Sequence, residues 1–141
     1  MRASALAPAA LALAVLAAPA AAEPTVTTSQ GVVRVLDKIT GTVRDLTLSA
    51  GVSEAMGHLT VTMGECRYPR ANPTGDAYIQ LVIQDVRETE PAFSGWMVAS
   101  APALEPFDHP RYDVWALSCI IPEGDAPVLN LEPAPEEAPP E

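Results

Sequence analysis

The sequence has few basic residues, and this shortage excludes several kinds of partner. It contains 8 Lys and Arg against 18 Asp and Glu, a formal net charge of −10. Binding to nucleic acid requires clustered Lys and Arg that contact phosphates, and binding to an anionic membrane surface requires a similar cluster. We therefore expect neither as a partner, because the basic residues beyond position 30 occur singly: Arg34, Lys38, Arg44, Arg67, Arg70, Arg87 and Arg111.

The sequence also lacks an apolar run long enough for a membrane-spanning helix. Its longest run, from about Leu6 to Ala18, is shorter than the roughly 20 residues that a span needs. Arg2 precedes this run and three alanines ending at Ala22 follow it, an order typical of a secretory signal peptide. We predict a signal peptide over residues 1–22, export to the periplasm, and no stable membrane span after cleavage.

Cysteine is scarce, with only Cys66 and Cys119 present. In an oxidising compartment a pair of thiols usually forms a disulfide, and two cysteines allow one pairing. The alternative is a metal or redox site, although the sequence has no CxxC and two cysteines alone cannot complete a tetrahedral zinc site. We predict a structural disulfide, no metal and no cofactor. Its closed loop of about 54 residues would contribute roughly 4 kcal/mol in the chain-entropy model.

What the sequence does contain is an alternation of apolar and polar residues with a period of two, and no sustained helical period. The clearest strands are Leu59–Met63 and Ala77–Arg87. Phe93–Ser100 is apolar on both faces, which is typical of a central strand. Asp37–Gly41 resembles a hairpin turn, with Gly41 free to adopt a positive φ. The predicted fold is all-β: a small antiparallel β-sandwich or barrel of six or seven strands.

The polar ends of the chain differ from this patterned region. Residues 23–30 (EPTVTTSQ) are predicted to form a flexible leader, and residues 31–121 the β domain. Residues 122–141 are rich in Pro and Glu and are predicted to be disordered, because they cannot bury enough apolar surface to become ordered. This tail either docks a partner or is a solvated extension.

The aromatic residues are few but concentrated, and five of the seven lie between Phe93 and Trp115. They either form the core, since aromatic rings dominate core burial, or divide between the core and a binding surface. The candidate surface is the loop Pro102–Asp113, with an envelope protein or ligand of unknown identity as partner. The candidate binding residues are Trp96, His109, Tyr112, Asp113 and Trp115.

The same loop holds the main concentration of side chains with catalytic character. His109 together with Asp108 or Asp113 could form an acid/base pair. The sequence has no GxSxG, HExxH, P-loop or GxGxxG motif. We therefore favour a non-enzymatic binding domain and keep a small periplasmic enzyme as the alternative. A buried His109 with satisfied hydrogen bonds would remove this loop from both hypotheses and assign it to the core.

Three segments together resemble a known family: LDKITGTV (36–43), GHLTVTMGECRYP (57–69) and FSGWMVASAPALEPFDHPRYDVWALSC (93–119). They are similar to the DUF2155 family, short exported proteins found mainly in alphaproteobacteria. The resemblance covers about residues 32–119; Val98 and Asp108 depart from the family pattern, where an aromatic residue and Glu are usual. It implies export and pairing of the cysteines, but no reaction. The matching positions are Asp37, Lys38, Gly41, Cys66, Trp96, His109, Tyr112, Asp113, Trp115 and Cys119.

Overall fold

A computed structural model describes residues 21–126, and none of these residues is helical. The all-β prediction is confirmed, with eight strands instead of six or seven. The strands are β1 (Thr25–Thr28), β2 (Gln30–Asp37), β3 (Thr42–Ser49), β4 (Ser53–Met56), β5 (Leu59–Pro69), β6 (Tyr78–Asp85), β7 (Phe93–Val98) and β8 (Tyr112–Cys119).

The strands form two antiparallel sheets that pack face to face as a sandwich. One sheet has the order β1-β5-β6-β7, with β4 paired to the same strand β5, and the other has the order β3-β2-β8. Along each central strand, alternate side chains enter the space between the sheets. The fully buried apolar side chains there include Val33, Val35, Leu48, Leu59, Val61, Met63, Ile79, Leu81 and Ile83.

The turn between β2 and β3 forms as its sequence predicts. Gly41 has a φ of 70°. The Asp37 carboxylate accepts the backbone N–H groups of Ile39 and Thr40 and so closes the turn from within.

The two cysteines form the predicted disulfide, which joins the two sheets. Cys66 lies on β5 and Cys119 on β8, with their Cα atoms 5.7 Å apart. Both residues are buried. The bond therefore links the sheets through the core.

Two details of the predicted organisation are wrong. The leader over residues 23–30 is not free of structure, because Thr25–Thr28 form β1 and pair with β5. Main-chain hydrogen bonds hold this strand in place, and its polar side chains gave no indication of them. Phe93–Ser100 is not a central strand, because β6 is the only strand among residues 21–126 that pairs with β7. Its apolar outer face carries Trp96, which is covered by the Arg67 guanidinium instead of a second layer.

The predicted signal peptide lies almost entirely outside the described residues, as does most of the predicted tail. The first residues of the tail, 122–126, are described, and Asp125 accepts a hydrogen bond from the buried Tyr68 hydroxyl at 3.3 Å. The described residues contain no helix that is long and apolar enough to cross a membrane.

Candidate functional site

His109 lies in the interior, although the loop that carries it connects two strands at the surface. The residue is 7% exposed. The ring stacks on Phe107, with centroids 5.5 Å apart, and lies 5.4 Å from the Tyr112 ring. Phe107 in turn meets Phe93 edge to face. The aromatic part of the loop therefore closes one end of the core.

Both ring nitrogens of His109 are engaged. Nδ1 accepts the backbone N–H groups of Arg111 and Tyr112, each at 3.1 Å. Since an acceptor nitrogen carries no proton, the proton of the neutral ring lies on Nε2, which donates to the Asp85 carboxylate at 3.1 Å. No nitrogen is left for a substrate, so His109 cannot act as an acid or base without breaking this arrangement.

The carboxylate that faces His109 is not one of the two predicted from the sequence. Asp108 is exposed. Asp113 forms an ion pair with Lys38 at 2.9 Å. The partner is Asp85, at the end of β6. The structure therefore does not assemble the proposed acid/base pair, and it places His109 and Tyr112 in the core.

Asp85 is a buried carboxylate that its neighbours keep ionised. It is 1% exposed and accepts hydrogen bonds from the Arg87 guanidinium and the Arg87 backbone N–H. Hydrogen bonds from Arg87, and to a smaller extent from His109, hold the pKa of Asp85 well below its usual range. The charge is thereby paired inside the fold.

Asp37 has a matching arrangement at the end of β2. It accepts a hydrogen bond from Arg111 at 2.6 Å in addition to the turn amides. The Arg111 hydrogen bond is the main cause that lowers the pKa of Asp37 to about 2. Lys38, the next residue, donates to the His109 carbonyl at 2.8 Å. The segments LDK and HPRYD, far apart in sequence, therefore meet because β2 and β8 are neighbours.

Tyr112 fastens this end of the sandwich to the β4–β5 hairpin. Its hydroxyl accepts the His58 backbone N–H at 3.1 Å. Gly57 precedes His58 with a φ of +60°, and a Cβ there would collide with the Tyr112 hydroxyl. Close approach as well as backbone conformation thus requires glycine at this position.

The two tryptophans lie on opposite outer faces of the sandwich. Trp96 is directly opposite Gln80 on the outer face of the five-stranded sheet, where the Arg67 guanidinium lies 4.8 Å from its ring centroid. Trp115 is opposite Arg34 on the outer face of the three-stranded sheet. Both are half-buried. The five predicted binding residues therefore do not form one surface.

Only one side of β8 is paired with another described strand, namely with β2. Beyond the ends of this pairing, the Lys38 N–H donates to the Arg111 carbonyl at 2.8 Å. Antiparallel pairs alternate between bonded and non-bonded positions. Arg111 is thus at a bonded position. Asp113 and Trp115 follow it by two and four residues and are bonded as well, so their main-chain groups point toward β2. Those of Val114 and Ala116 point to the other edge of β8, which pairs with no described strand and which we call the open edge, although both residues are buried, at 3% and 5% exposed.

The regular edge of β8 ends at a β-bulge. Val32 and Val33 of β2 are opposite Ser118 and Ala116, so Leu117 is the extra residue. Bulges redirect side chains and often lie beside functional sites. Leu117 lines a cavity of about 320 Å³ at this end of β8, together with residues 73–76, 99–100, 118–119 and Ile121. We name this cavity the terminal pocket.

No three His, Cys, Asp or Glu side chains within residues 21–126 are arranged to hold a metal ion. The described residues do offer the open edge of β8, the terminal pocket beside it, and a shallow groove of about 330 Å³ beside Trp96.

Comparison with known proteins identifies the family. The chain is 30% identical over 95 residues to "Uncharacterized protein RP359" of Rickettsia prowazekii (strain Madrid E), and the match covers 65% of this chain and 61% of the relative. No solved structure matches the chain. The family described as "Uncharacterized protein conserved in bacteria (DUF2155)" matches residues 31–119. This match covers β3 to β8, all of β2 except its first residue, and both cysteines, and the chain therefore belongs to the DUF2155 family.

Proposed function

We propose that this protein is an exported binding domain that holds an extended segment of an envelope protein along the open edge of β8. The observation that carries the proposal is the direction of the main-chain groups of Val114 and Ala116, which pair with no described strand. Because these residues are only 3% and 5% exposed, a partner strand has to displace the part of the chain that covers them. Unpaired N–H and C=O groups at strand spacing are matched by another extended chain, which is the chemistry of strand addition.

The composition of β8 supports pairing at this edge. From Val114 to Cys119 the strand has no charged residue and no proline. Its outer face presents Trp115, half-buried beside Arg34, and a partner strand would pack its own side chains against this ring. Aromatic residues of this kind contribute strongly at interfaces.

The other sheet edges are less suited to a partner. β3 carries Arg44 and Asp45, and charged residues on an edge oppose pairing. β1 and β4 have four residues each. The loop after β7 brings the Glu105 carboxylate against Gly95 on that strand. Among the described strands, β8 is thus the longest edge without such protection.

Further observations support the two other parts of the proposal, namely export and binding without catalysis. The signal-like pattern of residues 1–22 and the Cys66–Cys119 bond both fit an oxidising compartment outside the cytoplasm. The engaged nitrogens of His109 favour binding over acid/base catalysis.

A selection from random decapeptides displayed against the mature chain, with its tail retained, tests the proposal. We expect enrichment of sequences in which β-branched and polar residues alternate without charge at the centre. The variant Val114→Pro removes one outward N–H with little change in side-chain volume, and edge positions of this kind tolerate proline. It should lose the selected peptides.

The matched control is Thr47→Pro, which removes an outward N–H from the opposite edge, on β3. This direction follows from the Ala50 N–H bond to the Ser29 carbonyl, which continues the β2–β3 register. The control should bind like the unmodified chain. A selection without enrichment, or a folded Val114→Pro variant that binds as well as the control, would contradict the proposal.

A further inference from the structure

The terminal pocket lies where a strand bound along β8 would run beyond the bulge. One wall is the end of β8, residues 117–119, and the opposite wall is residues 99–100, which directly follow β7. The pocket is therefore on the side of β8 that faces away from β2. A partner segment on the open edge would bring one of its side chains to the mouth of the pocket.

The walls of the pocket combine apolar surface with a single ionisable group. Leu117, Ile121 and Ala99 supply apolar contacts, and Asp76 is the one charged residue in the lining. No Lys or Arg lines the pocket. A long side chain with an apolar stem and a cationic end matches this arrangement.

The hydrogen bonds of Asp76 fix its carboxylate in place and leave room for one more donor. Oδ1 accepts the backbone N–H groups of Ala77 at 2.8 Å and Ser100 at 3.0 Å. Oδ2 accepts the Ser100 hydroxyl at 2.7 Å, and a carboxylate oxygen can accept two hydrogen bonds. The carboxylate is thus held rigidly with one acceptor position free on Oδ2, which is what recognition of a cation requires.

We infer that the terminal pocket receives a lysine or arginine side chain of the segment bound along β8, with Asp76 as its charge partner. This inference rests on the proposed function. The net charge of −10 favours a cationic partner at long range as well. Every strand pair of the three-stranded sheet is antiparallel. An added antiparallel strand would place the cationic residue near its own N-terminal end.

Fluorescence polarisation with three labelled hexapeptides tests the inference on the full mature chain. The probes are acetyl-Lys-Thr-Val-Thr-Val-Thr, with the fluorophore attached through the C-terminal amide, and the same peptide with Leu or Glu in place of Lys. Because a charge-assisted hydrogen bond adds to the strand pairing, we expect the Lys peptide to bind about tenfold tighter than the Leu peptide. The Glu peptide should bind most weakly.

The variant Asp76→Asn keeps an amide oxygen for the backbone N–H groups but removes the charge. It should bind the Lys and Leu peptides with affinities within about twofold of each other. Glu54→Gln, which removes the same charge from the exposed surface of β4, is the control and should keep the tenfold preference. A thermal unfolding scan of both variants verifies that they are folded.

The outcomes separate the inference from the proposed function. Equal binding of the Lys and Leu peptides, with both lost in Val114→Pro, would overturn the assignment of the pocket and leave strand addition supported. An unchanged Lys preference in Asp76→Asn would also overturn it. Failure of all three peptides to bind the unmodified chain would contradict both the inference and the proposed function.

Discussion

Reduction of the Cys66–Cys119 bond should remove a large part of the stability of the domain. The bond joins β5 to β8 across a sequence separation of 53 residues. In the chain-entropy model, a loop of this size restricts the unfolded chain by about 4 kcal/mol. Small domains have a total stability of about 5–15 kcal/mol, so the reduced protein should be marginal.

Guanidinium chloride denaturation of the oxidised protein and of the same protein in a phosphine reductant measures this effect. Comparing one chain in two redox states avoids the cavities that Cys→Ala substitutions would leave at Cys66 and Cys119. The midpoint should fall and the slope should rise, because the unfolded chain without the bond is less compact and exposes more surface. A loss below about 1 kcal/mol would refute the chain-entropy reasoning for this fold. Labelling of the denatured, oxidised protein should find no free thiol.

Two further outcomes follow from the end of the sandwich that contains the buried acids. The pKa of Asp37, about 2, and the pKa of Asp85 both lie below the value of about 4 in the unfolded chain. The two carboxylates therefore stabilise the fold above pH 4, and this stabilisation should be lost as the pH falls toward 2. A melting temperature that stays constant from pH 6 to 2 would contradict this. Gly57→Ala should destabilise by at least about 1 kcal/mol more than Gly51→Ala, measured by urea denaturation. Both glycines have positive φ, but only the Cβ at Gly57 meets Tyr112, so equal losses would contradict the steric argument.

The sequence predicted the strands that present a clear apolar face. Ile79, Leu81 and Ile83 alternate on β6, and all three are fully buried. β4 escaped prediction because Met56 is its only buried residue. β1 escaped for a similar reason, since its stability depends on main-chain bonds to β5, which side-chain patterns do not report.

The candidate site was predicted less well, because its contacts join residues distant in sequence. Asp85 meets His109 only when β6 and the loop before β8 reach the same end of the sandwich. A signal did exist: Asp85 occupies the next inward position after Ile83, and Asp37 the next after Val35. An acid that continues the buried alternation of a strand requires a partner, and each of these two has an arginine.

The two tryptophans show that residues close in sequence can lie far apart in the fold. The sequence predicted that Trp96 and Trp115 belong to one binding surface, because their segments are close in the chain. They lie on different sheets, and sequence proximity does not determine on which sheet a strand is placed. Only Trp115 borders the edge that we propose as the binding site.

Amide hydrogen exchange along β8 tests the central claim most directly. In the free mature chain, the amides of Val114 and Ala116 should exchange much faster than that of Trp115, which is directed toward β2. At saturation with the Lys hexapeptide, Val114 and Ala116 should become protected while Trp115 stays unchanged. Protection of Val114 and Ala116 equal to that of Trp115 before any peptide is added, or exchange at both that saturating peptide leaves unaltered, would contradict the account.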